Sequence, residues 1–176
     1  MNDRSARQKL LLWTAQGFGV GWLPFAPGTF GSILGFGWLA LLLVMGNVWL
    51  FFLGSIAAIP LAVWLCGVAE KELGRKDPGS VVLDEVVAIP VCLWCWMALY
   101  LSKHGSLPAI GQFFAWANWP LLLVAFAAFR FFDILKPWPV RQSQSLPGGW
   151  GIVIDDFLAA LYVNALLFAA WATRLL

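Results

Sequence analysis

The sequence predicts an all-α protein, a polytopic bundle of membrane-spanning helices. Two observations on composition support this prediction: 61% of the 176 residues are hydrophobic, and only 11% are charged. Soluble domains carry about 25% charged residues. The third observation is that the apolar residues fall into five long runs separated by short polar segments, which is typical of helical membrane proteins. We expect a single integral-membrane domain over residues 1–176.

The apolar runs differ in length, and they cover residues 33–45, 48–68, 86–101, 113–132 and 152–172. A helix needs about 20 apolar residues to cross the hydrocarbon core of a bilayer. The four later runs are therefore predicted to span the membrane. The first run is short, so it either extends back to Thr29 and spans as well, or forms a re-entrant helix.

The basic residues orient these predicted spans. If five helices alternate and the N-terminus is cytoplasmic, nine Lys and Arg residues lie inside: Arg4, Arg7, Lys9, Lys71, Arg75, Lys76, Arg130, Lys136 and Arg141. Only Lys103 and Arg174 then lie outside. Positive charge collects on the cytoplasmic side of membrane proteins. The sequence thus predicts a cytoplasmic N-terminus.

A glycine- and proline-rich segment precedes the first run on the same side. Residues 17–32 read GFGVGWLPFAPGTFGS, and we expect Thr29 or Ser32 to cap a helix N-terminus here. Backbone amides at such a position favour an anion such as phosphate. A capped helix start without a ligand explains the segment equally well, so both interpretations stay open.

Carboxylates gather at three predicted helix ends on the cytoplasmic side. Asp84 and Glu85 begin the third span, Asp133 ends the fourth, and Asp155 and Asp156 are expected in the first turn of the fifth. A single acid at a helix N-terminus complements the helix dipole, but adjacent acids repel each other unless a cation neutralises them. Oxygen ligands without His or Cys suit Mg²⁺, Mn²⁺ or Ca²⁺. We therefore favour a metal site over helix capping.

Several catalytic groups are missing from the predicted cytoplasmic face. The only histidine, His104, falls in an outer loop, and the three cysteines lie inside apolar runs without the arginine of a thiol-phosphatase loop. No GxxxxGK[ST] motif is present. These absences argue against Ser-His-Asp hydrolases, against His- or Cys-nucleophile phosphatases and against standard NTPases. Carboxylates, hydroxyls and basic groups remain, and this set suits metal-assisted phosphoryl chemistry on a lipid headgroup.

The chain contains four segments that read PFAPGTFGS, GRKDPGSVVLDEVV, FRFFDILKPWPVR and GGWGIVIDDFLAALY. These segments resemble the motifs of the phosphatidylglycerophosphatase A family. The resemblance implies a Mg²⁺-dependent phosphatase of the bacterial inner membrane. Such an enzyme hydrolyses phosphatidylglycerophosphate to phosphatidylglycerol and phosphate in phospholipid biosynthesis. The chain departs from the family at Ala88 and Ala160, where Gly is common, and at Pro147, where His is frequent.

The resemblance also implies roles for individual residues. The acids that would bind the metal and take part in catalysis are Asp84, Glu85, Asp133, Asp155 and Asp156. The residues that would bind the substrate phosphate are Lys76, Lys136 and Arg141, assisted by the backbone at Thr29 and Ser32. The number of metal ions stays open, as does the choice between an activated water and an aspartyl-phosphate intermediate.

Two other functions stay open on the sequence. Acids in membrane helices also mark ion pathways, so one alternative is a small cation carrier or channel, although the acids gather at one face only. The other is a Mg²⁺-dependent lipid headgroup transferase, although the DGxxAR signature of alcohol phosphotransferases is absent. The expected partners are the membrane and a phospholipid substrate drawn from it, with no nucleic acid. The oligomeric state is left open.

Overall fold

The computed structural model describes residues 5–173, and within that range it contains helices, turns and connections but no β-strand. The all-α prediction is therefore confirmed. Arg4 and Arg174, used above to orient the chain, lie outside the described residues. The α-helices in chain order are α1 (Ala6–Ala15), α2 (Pro27–Val44), α3 (Val48–Leu73), α4 (Leu83–Cys92), α5 (Trp94–His104), α6 (Ile110–Phe113), α7 (Trp119–Leu135), α8 (Val140–Ser143) and α9 (Gly149–Ala172).

Five segments of the described chain are long and apolar enough to cross a membrane. These are α2, α3, α4 together with α5, α7 with the 3₁₀ turn before it, and α9. The run at residues 33–45 is the later part of α2, which has 18 residues and begins at Pro27. The first run thus extends back beyond Thr29, and its length and composition match those of a span.

The fourth span was predicted over residues 113–132, and both ends of its helix differ in the structure. Phe113 belongs to the separate short helix α6, and α7 does not begin until Trp119. At the other end α7 stops at Leu135, and Lys136 adopts a left-handed backbone conformation with φ 48°. Pro137 follows directly, and a residue before proline is disfavoured in the helical region. The side chain of Lys136 therefore projects from the end of α7 and not from its helical face.

The third span is interrupted in the middle. Pro90 lies inside α4 and has no N–H group to donate, and the helix ends two residues later. Backbone groups freed at such a break need partners inside a bilayer. Asn164 of α9 supplies them: its side-chain amide donates to the Val91 carbonyl at 2.6 Å, and its oxygen accepts from the Cys95 N–H at 2.7 Å. The break between α4 and α5 is thus held by α9.

Helix α4 lies at the centre of the bundle. It packs against α2, α3, α7 and α9, and every residue from Asp84 to Cys92 is buried. Its approach to α2 depends on glycines, because a Cβ atom at Gly35 would lie 2.6 Å from Cγ1 of Ile89. This close packing encloses the polar first turn of α4 between neighbouring helices.

Candidate active site

Three helices bring acidic side chains together at one end of the bundle. Asp84 and Glu85 lie in the first turn of α4, Asp133 lies near the end of α7, and Asp155 and Asp156 belong to α9. Carboxylate oxygens of Asp84, Glu85 and Asp156 lie within 4.8 Å of one another, and those of Asp133, Asp155 and Asp156 do so as well. The two groups share Asp156, so the five acids form one continuous cluster.

Four of these acids are almost fully buried. Their exposed fractions are 7% for Asp84, 9% for Glu85, 4% for Asp155 and 2% for Asp156. Each of the four has one buried carboxylate oxygen without a hydrogen-bond partner among the described residues. A buried charged oxygen without a partner is costly. A divalent cation of the oxygen-binding type would satisfy these atoms, so the donor set fits Mg²⁺.

Two basic side chains border the cluster. Arg130 Nη1 lies 2.8 Å from Oδ2 of Asp133 and 3.8 Å from Oε1 of Glu85. Lys136 Nζ lies 2.6 Å from Oδ2 of Asp155 and 3.9 Å from Oδ1 of Asp133. Burial is the largest single influence on Lys136 and opposes its charge. The hydrogen bond to Asp155 and the negative charges of Asp155, Asp133 and Asp156 together outweigh burial, so the pKa of Lys136 is raised above its usual value. Two cations against five acids still leave the cluster negative.

The position of the acid pair on α9 corrects a prediction. We expected Asp155 and Asp156 in the first turn of this helix, but α9 begins at Gly149 and has no acidic residue in its first turn. The helix dipole acts within about one turn of the terminus. It therefore does not account for these two carboxylates, whereas Asp84 and Glu85 do occupy a first turn.

The start of α2 also differs from its prediction. The residue at the N-cap position is Ala26, without a side-chain hydrogen bond, so neither Thr29 nor Ser32 caps the helix. The Thr29 N–H donates to the Ala26 carbonyl at 3.0 Å. Ser32 is buried beside the acidic cluster, where its hydroxyl donates to the Gly28 carbonyl at 2.9 Å and accepts from Arg130 at 3.5 Å. Ser32 thus adjoins the cluster through its side chain.

The other two predicted phosphate-binding residues lie further out. Lys76 is exposed in the connection between α3 and α4, where it lines a cavity of about 360 Å³ together with Asp77 and Gln144. Gln144 also donates to Oδ2 of Asp155 at 3.1 Å, which connects this cavity to the acidic cluster. Arg141 is exposed on α8, and the structure brings it into no ion pair with the described acids.

Sequence reasoning missed three residues that adjoin the acids. Arg130 was used only to orient the chain, although it stands three residues before Asp133 in the same way that Lys136 stands three after it. Gln144 carries no charge and gave no signal. Gly28 lies so close to Glu85 that a Cβ atom there would overlap its Oε1. The spacing of three residues could have indicated Arg130, whereas the contacts of Gln144 and Gly28 with the acids follow only from the fold.

Comparison with known sequences places the chain among lipid phosphatases. The family profile described as Phosphatidylglycerophosphatase A matches residues 13–171, a range that contains every candidate site residue. This chain belongs to the phosphatidylglycerophosphatase A family. It is therefore a phosphatase of lipid metabolism with membrane-spanning helices. Membership of this family does not support the carrier and transferase alternatives. No solved structure matches the chain significantly.

Three curated relatives cover most of the chain. A phosphatidylglycerophosphatase A of Haemophilus influenzae is 37% identical over 156 residues, which cover 88% of this chain and 85% of the relative. The phosphatidylglycerophosphatase A of Escherichia coli is 32% identical over 156 residues, covering 88% and 79%. A Bacteroides thetaiotaomicron protein named putative phosphatidylinositol-3-phosphatase is 33% identical over 158 residues, covering 88% and 89%. The names of these three relatives thus include two different lipid substrates.

Arg130 gives the first test of this site. We expect Arg130→Gln to lower kcat/KM for phosphate release by about 100-fold, because removing one member of a buried ion pair leaves its acids without compensation. Phosphate release and unfolding temperature in detergent are measured together. The matched control is Lys103→Gln, since Lys103 lies at the other end of the bundle over the Trp171 ring. A folded Arg130→Gln protein with nearly normal activity would contradict this role.

Proposed function

We propose that this chain hydrolyses the terminal phosphate monoester of phosphatidylglycerophosphate, giving phosphatidylglycerol and phosphate, with Mg²⁺ as its cofactor. The observation that supports this proposal most strongly is the cluster of five acids with four unpartnered buried oxygens. Such a cluster suits a metal-dependent phosphatase. The names of two relatives support the choice of substrate.

The proposed metal ligands follow from the two groups of carboxylates. Asp84, Glu85 and Asp156 would hold one ion, and Asp133, Asp155 and Asp156 would hold a second, so that Asp156 belongs to both sets. When bound, Mg²⁺ neutralises charge on a phosphate and lowers the pKa of water. Oxygen-only ligand sets of this kind select hard cations.

Arg130 and Lys136 would orient the phosphate from the rim of the cluster. Both side chains are half-buried, with exposed fractions of 18% and 25%, whereas the Asp155 carboxylate that binds Lys136 is exposed by only 5%. Their ion pairs with Asp133 and Asp155 hold their N–H groups in place before substrate arrives. Donors fixed in advance stabilise the charge that develops on a transferring phosphoryl group.

The position of the cluster along the candidate spans supports a phospholipid headgroup as the substrate. Asp84 stands at the start of one predicted span and Asp133 near the end of another, so the cluster occupies one boundary of the membrane region. A lipid phosphate can reach this level while its acyl chains remain in the bilayer. We propose that this boundary is the cytoplasmic face of the bacterial inner membrane and that the reaction belongs to phospholipid biosynthesis.

The membrane orientation can be tested with reporter fusions. The site end of the bundle carries most of the basic residues, so the positive-inside tendency predicts that the C-terminus lies on the outer side. An alkaline phosphatase reporter fused after Leu176 is expected to be active, and a fluorescent protein at the same point dark. Fusions after Gly79, in the connection between α3 and α4, serve as the matched control and are expected to show the opposite pattern. Reversed results would place the acidic cluster on the outer face.

The reaction can be tested by phosphate release from phosphatidylglycerophosphate in mixed micelles with and without Mg²⁺. We expect Mg²⁺-dependent release, and a loss of about 100-fold or more in Asp156→Asn, because this residue belongs to both ligand groups. Glu72→Gln is the matched control, since Glu72 lies on α3 outside both groups and accepts a hydrogen bond from Gln8. Phosphatidylinositol 3-phosphate is the competing substrate. Faster release from it would reject the proposed substrate while retaining the phosphatase.

Metal binding can be measured without turnover. Mg²⁺ at about 100 times its Kd is expected to stabilise the folded protein by about 2.7 kcal/mol, since a ligand that binds only the native state shifts unfolding by mass action. Thermal unfolding in detergent gives this shift for the unsubstituted chain and for Glu72→Gln. We expect Asp156→Asn to lose it. An equal shift in Asp156→Asn, or none with Mg²⁺ or Mn²⁺ in the unsubstituted chain, would contradict the proposed ligands.

A further inference from the structure

A long apolar cleft runs between α2 and α3. Its volume is about 580 Å³, within the range of about 300–1,000 Å³ that small-molecule sites occupy. Leu34 and Leu41 line it from α2, and Leu65 and Gly54 line it from α3. The distance along α3 from Leu65 to Gly54 is about 16 Å at 1.5 Å per residue. The cleft is therefore long and narrow, and it follows the direction of the spans.

One end of this cleft lies at the same level of α4 as the acidic cluster. Leu83, Val86 and Val87 of α4 form part of its wall, and they stand immediately beside Asp84 and Glu85 in the same helix. The first turn of α4 thus contributes apolar side chains to the cleft and carboxylates to the cluster.

The contact between α2 and α4 also places the start of the cleft at the level of the carboxylates. A Cβ atom at Gly31 would lie 3.4 Å from Oε2 of Glu85, and Leu34, one turn further along α2, already lines the cleft. The apolar cleft therefore begins at the level of the carboxylates and extends from there toward the middle of the membrane region.

We propose that this cleft holds an acyl chain of the phospholipid whose phosphate is hydrolysed at the acidic cluster. The inference rests on the proposed function and adds a binding site for the apolar part of the substrate. Its two long walls, α2 and α3, are candidate membrane spans, and Thr14 and Phe18 also line it, so a molecule that enters between α2 and α3 would come from the lipid. An acyl chain is an unbranched apolar group, and the small residues Gly37, Gly54 and Ala57 give the cleft the width to admit one.

Trp38 adds a polar feature to the cleft wall. It lines the cleft, and its indole N–H is buried without a hydrogen-bond partner among the described residues. A buried tryptophan N–H usually has an acceptor. The ester carbonyl at the head of an acyl chain is an acceptor of this kind. A bound phospholipid therefore supplies both the apolar surface that fills the cleft and a partner for Trp38.

The proposal can be tested with substitutions that narrow the cleft at positions outside the acidic cluster. Gly37 and Ala57 are exposed on the two walls, and a Cβ atom at Gly37 would meet nothing within 4 Å. Gly37→Leu and Ala57→Phe can therefore fill the cleft without a clash in the core. The matched control is Ala127→Phe, an equal enlargement at an exposed position on α7. Activity is measured on dioleoyl phosphatidylglycerophosphate and on its dibutanoyl analogue, both with Mg²⁺.

We expect the two cleft variants to lower kcat/KM for the dioleoyl substrate by about tenfold or more, since lost contacts in a hydrophobic pocket carry effects of this size. Turnover of the dibutanoyl analogue is expected to stay unchanged, and Ala127→Phe to behave as the unsubstituted chain. Equal losses on both substrates, or no loss on the dioleoyl substrate, would overturn the inference.

A second measurement uses the unsubstituted chain and does not depend on turnover. A phosphatidylglycerophosphate carrying a diazirine in one acyl chain is photolysed in the presence of the protein, and the labelled peptides are identified by mass spectrometry. We expect label on α2 and α3 and its loss in Ala57→Phe. Label on other helices alone would overturn the cleft proposal. If phosphatidylglycerophosphate is not hydrolysed at all, the proposed function fails, whereas the site of photolabelling still decides the occupant of the cleft.

Discussion

The electrostatic constraint on this fold is the burial of five carboxylates beside only two basic side chains. Acids brought this close repel one another, and water that would screen them is excluded from four of the five. Arg130 and Lys136 compensate part of the charge. The remaining negative charge is a cost to folding that an oxygen-ligated cation would offset, so the stability of this end of the bundle and the proposed metal binding depend on the same contacts.

The position of α4 makes this burial possible. A full-length span with its first turn at the membrane surface would leave Asp84 exposed to water, but α4 is enclosed by four neighbouring helices. The short length of α4 requires a break inside the membrane region, and Asn164 satisfies the backbone groups on both sides of that break. Since Asn164 belongs to the same helix as Asp155 and Asp156, α9 both supports α4 and supplies acids to the cluster.

The sequence predicted the helical class, the approximate spans and the gathering of five acids at one end of the bundle. Hydrophobic runs and acids beside them are local patterns that a sequence shows directly. It did not predict features that depend on contacts between helices. The start of α9 at Gly149 is one of these, since a Cβ atom there would overlap the backbone of α3 at Val63. The pairing of Arg130 with Glu85 is another. N-cap predictions at Thr29 and Ser32 failed because Ala26, with a left-handed conformation, starts the helix instead.

Helix periodicity explains how the short helix α4 can contact both the phosphate and an acyl chain of one lipid in the proposed complex. Successive residues of an α-helix point about 100° apart, so Leu83, Val86 and Val87 share one face of α4. Asp84 and Glu85 point away from that face, and one carboxylate oxygen of each lies within 4.8 Å of an oxygen of Asp156 on α9. In the proposed complex, the phosphate and the acyl chain of one phospholipid therefore contact two sides of the same helix. A soluble phosphate monoester would engage only the acidic side, and this difference would give the enzyme a physical basis for preferring lipids.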